Sequence, residues 1–78
     1  MLTVVQREYL RNAQKAVRIA SDVKFNTGAY NLQVRWAESY WSNYLKSVGA
    51  VRFKERFAQL HTLLAAKDTV GALKYLSV

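Results

Sequence analysis

Apolar residues recur along this chain at steps of three and four, the period of an α-helix rather than a strand. The pattern is clearest from Tyr30 to Val48, where Tyr30, Val34, Ala37, Trp41, Tyr44 and Val48 follow one another at steps of four, three, four, three and four. That spacing gathers them into one band on a helix predicted over about Ala29 to Val48. Trp36 and Tyr40 fall outside the band, roughly 80–120° to one side of it, and with Leu32 they make a second apolar ridge. Two ridges mean either two packing neighbours or one face left for a partner. Core packing is the favoured expectation for the Leu32, Trp36 and Tyr40 ridge, because the central helix of a bundle commonly buries two faces. Its alternative is an aromatic anchor for a partner.

The same period predicts three further helices. The first runs from about Val4 to Val23, with Leu2, Val5, Tyr9, Ala13, Ala16, Ala20 and Val23 as its buried stripe and Leu10 and Val17 on the shoulder. Thr3 and Gln6 have the spacing of a capping box, in which two side chains satisfy N–H groups of the first turn. The stretch from Lys24 to Gly28 reads as a loop, with Phe25 folded back onto the core. A third helix, about Ala50 to Ala66, buries Phe53, Phe57, Leu60 and Leu64. A short fourth, about Val70 to Leu76, is capped by Asp68 or Thr69 and buries Val70, Leu73 and Leu76. Gly49 suits the left-handed residue that ends the second helix. Gly71 lowers the fourth helix's own stability by about 1 kcal/mol relative to Ala. The expected fold is all-α: a compact bundle of three main helices plus a short C-terminal helix, joined by short loops.

Composition supports that reading and narrows the chemistry. The chain has 78 residues, no proline and three glycines, so helix breakers are absent from the periodic segments. Residues 1–78 are expected to form a single domain, and one this small buries only about 60% of its unfolded surface. There is no cysteine, hence neither a disulfide nor a thiolate metal site. A homodimer would enlarge the core and remains an open arrangement. No stretch approaches the roughly 20 apolar residues of a membrane span, and no apolar run follows a basic start as in a secretory signal. The expected location is therefore cytoplasmic, in the producing cell or an infected host.

Catalysis finds little to work with. His61 is the sole imidazole, and beside the apolar band of the third helix it reads as a boundary residue. Glu8, Asp22, Glu38, Glu55 and Asp68 sit on different elements, which argues against paired-carboxylate chemistry. No glycine-rich phosphate loop occurs. The expectation is a non-enzyme with no cofactor and no metal.

Charge points outward. Twelve Lys and Arg stand against five Asp and Glu, a formal net charge of +7. Arg7, Arg11, Lys15 and Arg18 share an arc about 80° wide opposite the buried stripe of the first helix and span about 16 Å along it. Three of the four are Arg, whose planar fork grips carboxylate or phosphate through two parallel hydrogen bonds. Arg52 and Arg56 form a second group, on one face at the start of the third helix, where the helix dipole disfavours cations. That misfit makes Arg52 and Arg56 further candidates for contact with an anionic partner, with solvated charge as the favoured explanation.

Together these features suit a small, basic, non-catalytic protein that docks on an acidic protein surface. Such a protein would act as a regulatory accessory factor or inhibitor, of the kind viruses and mobile elements encode. The alternative is low-specificity nucleic-acid binding through the basic face of the first helix, with phosphates at Arg7, Arg11, Lys15 and Arg18 and with Arg52 and Arg56 as candidates to extend the track. Adsorption to an anionic membrane is disfavoured, because the apolar face it would need is required for the core.

Overall fold

The computed structural model describes residues 2–77. Four helices run in order: α1 Val4–Asp22, α2 Thr27–Ser47, α3 Phe53–Ala65 and α4 Thr69–Leu76. The expected all-α bundle of three main helices and a short fourth is what forms. The helices close a ring in which α1 touches α2, α2 touches α3, α3 touches α4 and α4 returns to α1. The α1–α2 hairpin is the most extensive of these contacts, while the backbones of the diagonal pairs stay further apart.

Local chemistry sets most of the ends. Thr3 and Gln6 make the capping box: the Gln6 N–H donates to Thr3 Oγ1 at 3.1 Å and the Thr3 N–H donates to Gln6 Oε1 at 2.9 Å. Asn26 caps α2 by accepting from the Ala29 N–H, so α2 begins at Thr27, two residues before the position expected from periodicity. Asp68 caps α4 in the same way, accepting from the Gly71 N–H at 2.9 Å. Gly49, at φ 65°, ends α2 in the left-handed conformation, and the Ala50 N–H reaches back to the Leu45 carbonyl. At the end of α3 the same geometry falls on Lys67, at φ 58°, with the Asp68 N–H bonded to the Leu63 carbonyl. Val51 and Arg52 lie in the turn instead of in α3, which starts three residues later than expected.

The core is built where the four helices face one another. Trp41 fills its middle with no exposed surface. Its indole N–H donates to the Arg56 carbonyl at 3.2 Å, and its ring stacks on Tyr44 and meets the edge of Tyr75. It thus ties α2 to both α3 and α4. Leu45, Leu60, Leu64 and Leu76 are fully buried around it, each contributing about 1.5–3 kcal/mol of burial. The Tyr30 hydroxyl is buried too and donates to the Leu64 carbonyl at 2.5 Å.

Three packing expectations are corrected. Phe25 does not fold back: it is fully exposed, because the turn between α1 and α2 is tight, with the Asn26 N–H bonded to the Val23 carbonyl. Val70 is 64% exposed; α4 starts one residue early, and its inward row is Thr69, Ala72 and Leu76. Val5 is 56% exposed while Val17, placed on the shoulder, is fully buried. Val17 is covered by α4. That helix runs antiparallel to α1 from Ser21, which accepts from Thr69 Oγ1, to Gln14, whose amide donates to the Leu76 carbonyl. The first two turns of α1 extend past that cover.

Candidate functional site

On α1 the buried residues Ala13, Ala16, Val17 and Ala20 fix which way the helix faces. Arg7, Arg11, Lys15 and Arg18 therefore point away from the core, and all four are exposed. The ion pairs among the described residues are Arg52 with Glu55 and His61 with Glu38. The α1 row is thus left unmatched by any carboxylate within the described chain. Among the described residues only Arg7 of the row is tied down, by a long hydrogen bond from its guanidinium to the Leu2 carbonyl at 3.4 Å.

The aromatic ridge of α2 is not core. Trp36 is 51% exposed and Leu32 49%, while Tyr40 is half-buried and packs against the core edge. The Trp36 and Tyr40 rings lie 6.0 Å apart, tilted by 39°. Geometry explains the split. The backbone neighbours of α2 are α1 and α3, and the Tyr30–Trp41–Tyr44 band with Leu45 faces them and the Tyr75 ring of α4. The ridge is carried to the outer rim beside α1.

Because α1 and α2 are antiparallel, the middle of one faces the middle of the other. A groove of about 270 Å³ opens between them, lined by Asn12, Lys15, Ala16 and Ile19 from α1 and Gln33, Trp36 and Tyr40 from α2. Two features that are separate in the sequence meet here. Lys15 belongs both to the cation row and to the groove wall facing Trp36. On the far side of Trp36, a shallower surface of Leu32, Arg35 and Ser39 adds another exposed cation. Crossing the surface from α1 to α2, one meets cations, then amides and apolar groups, then the indole, then a cation again.

The second basic group does not join this surface. Arg52 sits at the start of α3, 3.7 Å from Glu55 in an exposed pair. Arg56 is half-buried, with its guanidinium 5.5 Å from the centre of the Trp41 ring. Both stand on α3, whose backbone does not come near that of α1. His61 is exposed, and its Nδ1 contacts Glu38 on α2, so it fastens α2 to α3 at their outer edge. Among the described residues no three His, Asp or Glu side chains gather as a metal site would require, and no helix is long and apolar enough to cross a membrane.

The sequence pattern alone passed over Asn12, Ile19, Gln33 and Arg35. A signal for the first two exists: on α1 they fall on the flank between the cation arc and the buried stripe, where a neighbouring helix must lie. Which neighbour it would be, and which face it would turn, is a matter of tertiary packing. No family model matches the chain, and no curated protein or solved structure is similar to it.

Proposed function

We propose that this chain is a non-catalytic binding protein, a regulatory accessory factor or inhibitor, that works by docking on an acidic protein surface. The observation that carries the reading is Lys15, which stands in the exposed cation row of α1 and in the wall of the Trp36 groove. A row of unpaired cations raises the rate of encounter with an acidic partner. An exposed Trp beside it supplies the kind of anchor that dominates binding energy, since it buries much area at little conformational cost. The row is also bounded. Glu8 and Asp22 stand near its two ends, which suits an acidic patch of limited size better than a polyanion that runs on.

Low-specificity nucleic-acid binding is the second reading, favoured by one feature: an exposed indole flanked by cations can stack on an unpaired base while its neighbours hold phosphates. Fluorescence anisotropy separates the two, using labelled polyglutamate and labelled single- and double-stranded oligonucleotides across a salt series. The docking reading expects polyglutamate to bind at low salt at least as tightly as the oligonucleotides do. Markedly tighter oligonucleotide binding, with a logarithmic salt slope of about −3 to −4 from four phosphates, would replace it with the second reading.

A further inference from the structure

The groove beside Lys15 has a composition that specifies more than attraction to negative charge. Its walls are apolar where Ala16, Ile19, Trp36 and Tyr40 approach one another, polar at the Asn12 and Gln33 amides, and cationic at Lys15. Asn and Gln each offer both a donor and an acceptor, so their amides can serve the main chain of an extended or helical segment. A volume of about 270 Å³ has room for one large side chain and not for a folded domain edge. The cations lie to one side, along α1, with Arg11 and Arg18 each about one turn of helix from Lys15.

Resting on the docking reading above, we propose that this groove receives a single aromatic or large aliphatic side chain from an acidic protein segment. The carboxylates of that segment lie against Lys15, Arg11 and Arg18. Charge complementarity selects the segment, and the groove selects the register in which it binds. Nucleic acid is the less suitable occupant. Its phosphates would run past Glu8 or Asp22, and Arg52 and Arg56, which would have extended the track, stand on a helix whose backbone is not adjacent to α1.

The test uses the full chain labelled with nitrogen-15. It is titrated with a short Glu- and Asp-rich peptide carrying one central Phe, with the same peptide bearing Ala there, and with an oligothymidylate. The two tryptophans report separately. Trp41 is sealed in the core with its indole N–H on the Arg56 carbonyl, whereas Trp36 lines the groove. The expected result is that the Phe peptide shifts the Trp36 indole signal and leaves that of Trp41 in place, binding about tenfold more tightly than the Ala peptide, as anchors of this class do. Trp36→Ala should abolish that tenfold preference, and Lys15→Glu should weaken both peptides. The stationary Trp41 signal verifies that each variant is folded.

Equal affinity for the Phe and Ala peptides would overturn the groove assignment while leaving the docking reading standing. Oligothymidylate shifting Trp36 more strongly than either peptide would overturn both. Absence of binding by all three probes at low salt would also overturn both.

Discussion

Two tryptophans five positions apart on α2 have opposite fates, and the difference comes from which neighbours the helix has rather than from anything in the residues themselves. Trp41 is fully buried and spans from α2 to α3 and α4, while Trp36 stands half-exposed at the rim with α1. Trp41→Ala should therefore cost about 3–5 kcal/mol of stability, the range for removing a core aromatic. Trp36→Ala should leave the unfolding midpoint nearly unchanged, at the small cost of a surface substitution. Chemical denaturation of both variants checks the contrast, and a Trp36→Ala that fails to fold would return that residue to the core.

Tyr30 gives a second residue-scale prediction. Burial raises its pKa above the ordinary value of 10.0, and its hydroxyl donates to the Leu64 carbonyl, which favours the neutral phenol. Its folded pKa thus exceeds the unfolded one. The stabilisation is fully present below about pH 10 and is lost as pH rises through the folded pKa, because the unfolded chain releases its proton first. Tyr30→Phe should flatten that alkaline loss in a series of melts. An unchanged pH profile would mean that the alkaline loss arises at other groups.

At the scale of elements, the sequence was most legible where periodicity and capping agree. The capping box at Thr3 and Gln6, the left-handed Gly49 and the Asp68 cap are all found in place. Less legible were the ends governed by turns whose residues do not announce them. Lys67 occupies a left-handed position where glycine would be the usual marker, and its ammonium lies 5.4 Å from the centre of the Tyr30 ring. That cation–π contact offsets part of the cost of its backbone conformation. Gly71 shows how propensity misleads. In isolation Gly71→Ala should favour the helix by about 1 kcal/mol. Here an added Cβ would collide with the Asp68 carboxylate that caps α4. Displacing that cap costs about 1 kcal/mol, so the substitution should bring no net gain and should lower the melting temperature if the carboxylate is expelled. Thermal melts of Gly71→Ala beside Asp68→Ala test this; a clear stabilisation by Gly71→Ala would contradict it.

At the scale of the whole molecule, each half of the candidate site could be read from the chain, and their meeting could not. The cation row of α1 follows from helical spacing once the buried stripe is known, and so does the ridge on α2. Whether the ridge is core depends on where the helices packed on α2 lie, and they leave Leu32 and Trp36 half-exposed. Lys15 lies twenty-one positions before Trp36, and only the antiparallel packing of α1 on α2 brings them to one groove. The placement of Arg52 and Arg56 away from α1 is equally a consequence of the ring.

The central claim is that the α1 cations and the groove they border form a binding surface whose residues are not needed for the fold. The most direct measurement is the low-salt affinity of Arg11→Glu/Lys15→Glu for labelled polyglutamate, with thermal unfolding followed on the same sample. Both side chains are exposed, so the melting temperature should stay within about 4 °C of the parent. Affinity should fall by at least about tenfold, because two favourable charges become repulsive. Unchanged affinity in a folded variant would contradict the account, and so would loss of the fold.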